Sequence, residues 1–301
     1  VTPYLIGAIA GLSAATLWTF SSLLFTFAGH AIGSMTVNRL RLAMALILLM
    51  LWHLMATGQP VPLAVSGESW FWLALSGIVG LVIGDSMLFR SYLIIGPRSA
   101  MILMTLAPVF ATLLAWLLLG EILTLIQIGG IAITSIGVAY AISHHPRIVK
   151  QSSEGSTTLG ILLGLGAGFC QGVGLILARL GLTEAVTALS GNVIRIGTAT
   201  IAIFLLAAFS GKLNQTLASL RLGRPISQVA LGSLVGPTVG VWLSLVAVKY
   251  APVGVASSLM STTPILLIPF STVFLKEHIR YQSIVGTLVA VAGVAFLFLA
   301  G

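Results

Sequence analysis

The chain is a succession of apolar stretches of about 20 residues, the length a helix needs to cross a bilayer, separated by short polar interruptions. This constrains the fold more than anything else in the sequence. Inside hydrocarbon every backbone amide needs a partner within the chain, which leaves helices or a closed barrel. The stretches lack the strict alternation of barrel strands, so helices are expected. Composition agrees: only 7% of residues are charged and 58% are hydrophobic, whereas a water-exposed domain carries about 25% charged residues. The expected fold class is therefore all-α, a polytopic membrane protein. Ten transmembrane helices are expected, roughly at 4–27, 36–56, 69–93, 98–119, 124–142, 158–181, 187–210, 226–249, 253–275 and 280–300. The longest polar interruptions run from His144 to Thr158 and from Gly211 to Arg224.

The ten stretches form one five-span unit written twice. Thr105-Leu106-Ala107-Pro108 leads into an apolar run ending at Leu119-Gly120-Glu121, and Thr262-Thr263-Pro264 leads into one ending at Leu275-Lys276-Glu277. Both Pro108 to Pro264 and Glu121 to Glu277 are 156 residues apart, as are Gly130 and Gly286, and Gly137 and Gly293. Earlier spans keep the relation with a small drift. Asn38-x-x-Arg41 matches Asn192-x-x-Arg195 at 154, and Gly7-x-x-x-Gly11 matches Gly160-x-x-x-Gly164 at 153. The chain divides into a first repeat (1–143), a connecting loop (144–157) and a second repeat (158–301). Five spans per unit is an odd number, so the two copies are expected to lie in opposite orientation, as an inverted repeat. That plan supplies two similar bodies that rock about a site between them.

In its doubled Pro-to-Leu-Gly-Glu run (108–121 and its copy) and its doubled Gly-x6-Gly-Val run (130–138 and its copy), the chain resembles the EamA-type, ten-span members of the drug/metabolite transporter superfamily. The resemblance covers nearly the whole chain. It implies a ten-helix basket around a central cavity and movement of small metabolites, with amino acids, nucleosides and other amphipathic compounds exported by various members. It does not name a substrate here.

The net charge of +8 reads as orientation in the membrane, since the fourteen Lys and Arg are scattered singly near span ends and no nucleic-acid surface is expected. Outside the spans, Arg98, Arg147, Lys150, Lys212, Arg221, Arg224, Lys276 and Arg280 flank one face, and only Arg179 and Lys249 the other. That bias puts the connections after spans 1, 3, 5, 7 and 9 in the cytoplasm of a plasma (inner) membrane and both termini outside, against the family tendency to keep both inside. The first stretch lacks a basic leader and is expected to stay in the membrane. The single cysteine, Cys170, offers neither an intrachain disulfide nor a metal cluster and reads as a small packing residue.

Asp85 is the one acidic residue expected well inside a span, where a carboxylate costs at least about 3 kcal/mol unless paired or hydrated. Its repeat counterpart is Val241, so symmetry does not require it. Arg41 enters from the same face at similar depth, which makes an ion pair the structural reading. Coupling to protons, or pairing with a substrate amine, is the functional one. Arg41 and Arg195 form a symmetric basic pair, read either as a clamp for carboxylate or phosphate or as snorkelling side chains. Asn38 and Asn192 are read as interhelical hydrogen-bonding groups.

Pro108 and Pro264 fall in the middle of spans 4 and 9, where each should kink its helix and act as a hinge. Met104, Thr105, Thr262 and Thr263 precede the kinks and are expected on the cavity wall. Trp18 and Trp242, near mid-span, are expected to line it with Ser21, Ser86, Phe89, Tyr92 and Gln171. Trp70 and Trp72, at a span start, read as interfacial anchors, and His53 as interfacial. Gly160, Gly164, Gly168 and Gly172, every fourth residue in span 6, predict a close helix contact. Thr124-x-x-Gln127 predicts a capping box, and Glu121 and Glu277 read as caps or latches.

The function expected is a secondary transporter of a small amphipathic metabolite, an amino acid or related compound, working in efflux by alternating access. A lipid or lipid-linked flippase is the alternative within transport, and an intramembrane enzyme the alternative of another class. No His-Glu-x-x-His, Gly-x-Ser-x-Gly, paired intramembrane aspartates or Walker loop is found, and His144-His145 reads as a polar connector. No enzymatic activity and no cofactor are expected. The expected partners are a small-molecule substrate and the lipid bilayer. Proton coupling and facilitated exchange both stay open. A monomer suffices.

Overall fold

The computed structural model describes residues 3–119, 124–143, 155–250, 256, 259–274 and 280–298, and every labelled element among them is a helix. In chain order these are α1 (Pro3–Ile32), α2 (Ser34–Thr57), α3 (Gly67–Ile95), α4 in two pieces (Pro97–Met104 and Ala107–Leu119), α5 (Leu125–Ser143), α6 (Thr157–Gly181), α7 (Ala188–Phe209), α8 (Gly223–Tyr250), α9 (Thr263–Phe274) and α10 (Tyr281–Phe298). Helices α1 to α8 are long and apolar enough to cross a membrane; within the described residues α9 and α10 are shorter. The structure by itself thus accounts for eight of the ten expected crossings. Exposed Ile47, Leu51 and Met55 on α2, and Leu205, Leu206 and Phe209 on α7, give the outer surface the apolar character that lipid requires.

Two links are single residues. Gly33 (φ 82°) joins α1 to α2, and Gly96 (φ 81°) joins α3 to α4. Only glycine takes such a conformation without steric cost, and it lets α1 run to Ile32, past its expected end at 27. The expected polar connection from Gly211 to Arg224 contains a short helix, Leu213–Ser219, held by Arg39, whose Nη1 donates to Thr216 Oγ1 at 3.1 Å. The expected capping box at the start of α5 is present: Thr124 N–H donates to Gln127 Oε1 (2.9 Å) and Gln127 N–H to Thr124 Oγ1 (3.2 Å). Glu121, Glu277 and the His144-His145 pair lie outside the described residues.

The packing is exchanged by the duplication. Helix α1 packs on α8 as α6 packs on α3; α4 packs on α6 as α9 packs on α1; α2 meets α7, and α5 meets α10. The glycine stripe of α6 lies against α4, as expected. A Cβ at Gly172 would stand 2.7 Å from the Ala107 carbonyl oxygen, so only glycine admits the two backbones at that separation.

Two π-helical segments were not anticipated. Ile78–Gly84 interrupts α3 and Leu234–Gly240 interrupts α8, again 156 residues apart. In each the next residue donates five positions back, Asp85 N–H to Gly80 O and Val241 N–H to Gly236 O. The wider turn leaves carbonyls without helical partners, and these shape the site.

Candidate functional site

A cavity of about 180 Å³ opens between α1, α2, α3, α4, α6, α7 and α8, with Met260, Ser261, Thr263 and Pro264, at and just before the start of α9, also in its wall. Its polar wall grows from the two Asn-x-x-Arg motifs. On α2, the Asn38 amide donates to the Leu81 carbonyl in the first π segment (3.2 Å) and to Ser86 Oγ (2.8 Å). On α7, the Asn192 amide donates to the Pro237 (3.0 Å) and Thr238 (3.4 Å) carbonyls in the second. Leu81 and Pro237 are themselves 156 apart, so each asparagine satisfies the carbonyl freed by the neighbouring π turn.

One turn further on, Arg41 Nε donates to Asn38 Oδ1 (2.9 Å), and its Nη2 pairs with Asp85 Oδ2. Gln171 on α6 donates to the other carboxylate oxygen, Asp85 Oδ1, at 3.0 Å. The Arg41 guanidinium carbon sits 4.7 Å from the Phe89 ring centroid and 5.9 Å from that of Phe25, a favourable cation–π placement. Arg41 and Asp85 are both buried, so the pair is intact and shielded.

Arg195 has the same place on α7 and a different environment. It is 94% buried and lines the cavity. Its Nε has no hydrogen-bond partner, and none of its side-chain nitrogens makes a hydrogen bond or ion pair within the described residues. Val241 stands where Asp85 stands in the first half. Gly77 lets α3 lie directly on the Arg195 backbone, since a Cβ there would collide with its carbonyl oxygen.

Of the residues expected around the site, the structure brings Trp18, Ser21, Arg41, Asp85, Phe89, Tyr92, Met104, Thr105, Gln171, Arg195 and Thr263 to the cavity, with Pro108 and Pro264. Three lie elsewhere. Ser86 is taken up by Asn38. Trp242 packs edge-on against Trp52, ring centroids 4.8 Å apart. The Thr262 hydroxyl closes its own turn on Leu259 O (2.6 Å). Sequence reasoning did not single out Phe25, Leu88, Met101, Met260 or Ser261, which also line the cavity; the 156-residue relation from Thr105 to Ser261 was the available signal for the last.

The expected proline kinks are breaks placed just upstream. A helix continuing through Met104 would need an N–H from Pro108, and the ring would strike the Met104 carbonyl. The chain instead turns at Thr105-Leu106 and restarts at Ala107, with Pro108 in the first turn, where no N–H is needed. Ser261-Thr262 and Pro264 repeat the arrangement.

Two further readings are sharpened. His53, near the end of its span as expected, is buried in protein there: its ring nitrogens meet Gln59 O (2.6 Å) and Ser190 Oγ (3.1 Å), tying the end of α2 to the start of α7. Arg98 is fully buried between α4 and α10, donating to Ser283 Oγ (3.1 Å) and Thr287 Oγ1 (3.4 Å), so it is not a free flanking charge. Among the described residues no cluster of three or more His, Cys, Asp or Glu could hold a metal.

The model of the EamA-like transporter family matches the chain twice, over residues 5–143 and 158–299. A solved structure, described only as a crystal structure of a protein, is similar at a TM-score of 0.67 and 17% identity, over 99% of this chain and 98% of that one; at this identity the likeness shows the fold alone. No curated protein sequence matches.

Proposed function

The chain belongs to the EamA-like transporter family, and from that premise we propose that it is a secondary transporter exporting a small amphipathic metabolite, an amino acid or related compound, by alternating access through the cavity. The carrying observation is a cavity enclosed by both halves whose wall combines aromatic and thioether side chains with a small set of charged groups. Its volume, about 180 Å³, suits one small metabolite better than a lipid. The upstream breaks support a hinge: the one in α4 divides a wall element into two rods without sacrificing a helical hydrogen bond at the proline, and the turn at Ser261-Thr262 sets Pro264 in the first turn of α9 in the same way.

The test is flux in reconstituted vesicles, with amino acids and related amphipathic metabolites loaded on one side, with and without an imposed pH gradient. Saturable movement that stops when the turn at Thr105-Leu106 is bridged to the turn at Ser261-Thr262 by an engineered disulfide is the expected result. Movement only of lipid analogues would favour a flippase, and no movement of any compound would end the transport reading.

A further inference from the structure

The two halves carry the same arginine, and only one of them is neutralised. Arg41 has Asp85 and Asn38 in direct contact; Arg195 feels the Asp85 charge but makes no ion-pair contact and no hydrogen bond within the described residues, so one carboxylate faces two guanidiniums. Asp85 carries a single negative charge, so it offsets only one of the two guanidiniums, and its direct contacts go to Arg41 and Gln171. With the Arg41–Asp85 pair counted as neutral, the cavity keeps one uncompensated positive charge on a 94% buried side chain. Burying an unpaired charge is among the most costly arrangements a fold can hold. It invites an anion that arrives with the substrate.

We propose that Arg195 is the docking point for the substrate's anionic group and that the substrate is a monoanion, an aliphatic or aromatic carboxylic acid, which narrows the amphipathic metabolites of the transport reading to compounds related to amino acids but lacking the charged amine. The inference rests on the transport reading for what passes through the cavity, but not for what binds there. A guanidinium presents donors in a fork that matches a carboxylate. Tyr92 and Trp18 line the same cavity, and neither the Tyr92 hydroxyl nor the Trp18 indole N–H makes a hydrogen bond within the described residues, so both are further donors. Phe25, Leu88, Met104 and Met260 receive an apolar body. A zwitterion fits less well. Its ammonium would add a third cation to a wall that already sets two guanidiniums against one carboxylate. A phosphate monoester would bring about two charges to one uncompensated cation.

The experiment uses four probes with one phenyl body and different charge: 3-phenylpropanoate, phenylalanine, phenethylamine and 3-phenylpropanol. Affinity is read from ligand-dependent thermal stabilisation of the purified full chain, and flux from vesicles. 3-Phenylpropanoate should bind about tenfold tighter than the neutral alcohol, as a hydrogen-bonded charge pair predicts, and tighter than the zwitterion and the amine. Arg195→Gln should erase the preference. Val241→Asp, which restores the acid missing from the second half, should erase it while keeping the arginine, and serves if Arg195→Gln does not fold. Equal affinity for all four probes, no response to any, or an unchanged preference in either variant overturns the subsite. Binding of the carboxylate with no flux of it or of any other compound would end the transport reading and leave the subsite standing; flux of the probes with equal affinity for all four would do the reverse.

Discussion

The first and second repeats solve the same local problem with different remainders. Each has a π turn, and each places an asparagine on the carbonyl that the turn releases. In the first, the asparagine's own oxygen accepts from Arg41, and Asp85 completes the set. In the second, Asn192 Oδ1 and Arg195 Nε are both buried without a partner, and valine occupies the acid's place. Duplication thus supplied the scaffold, and divergence at one position left an unsatisfied pole on one side only. A closed polar network and an open one, built on one backbone plan, separate what holds the helices together from what can receive a ligand.

The comparison breaks most directly at Asp85. Asp85→Asn should destabilise the protein by about 3 kcal/mol, because it leaves Arg41 buried and unpaired. The double change Arg41→Met with Asp85→Val should cost less than that single change; chemical denaturation in detergent measures both. If the single change is harmless, the first network is not a structural pair. Next in size, Gly172→Val should cost about 2 kcal/mol by forcing α6 from the α4 backbone. Its counterpart in α1 is Thr19, whose hydroxyl already bonds Ala15 O, so Thr19→Val should cost clearly less. Asn38→Ala should exceed Asn192→Ala by about 1 kcal/mol, since Asn38 has one more satisfied group; equal costs would mean the Arg41 contact contributes nothing. The smallest effect belongs to Thr124→Ala, about 1 kcal/mol from a lost cap, seen as faster amide exchange at the start of α5. The corresponding Arg280→Ala should leave the start of α10 unchanged.

Legibility followed the same divide between repeated and unrepeated features. Features written twice, such as the proline runs and the Asn-x-x-Arg motifs, could be aligned within the chain and placed the cavity wall. Local rules with short reach also worked, as at Thr124 and Gln127 and in the α6 glycine stripe. The π segments escaped because an inserted residue changes hydrogen-bond register without changing hydropathy. Gly80 and Gly84 with Gly236 and Gly240 were the only trace of them. Trp242 was misplaced because mid-span depth does not say which way a side chain faces. Arg98 reads as a flanking charge in the sequence because its acceptors, Ser283 and Thr287, lie at the far end of the chain and are common hydroxyls.

That buried Arg98 has a mechanical consequence. The segment Pro97–Met104 carries Met101 and Met104 on the cavity wall, and at its other end Arg98 fastens it to α10, which in turn is laid along α5. The front rod of α4 is therefore coupled to the peripheral pair like a door panel to its frame. Any tilt that opens the wall on that side must swing α5 and α10 as a single outrigger, or else strip a guanidinium of its hydroxyl partners deep within the bundle.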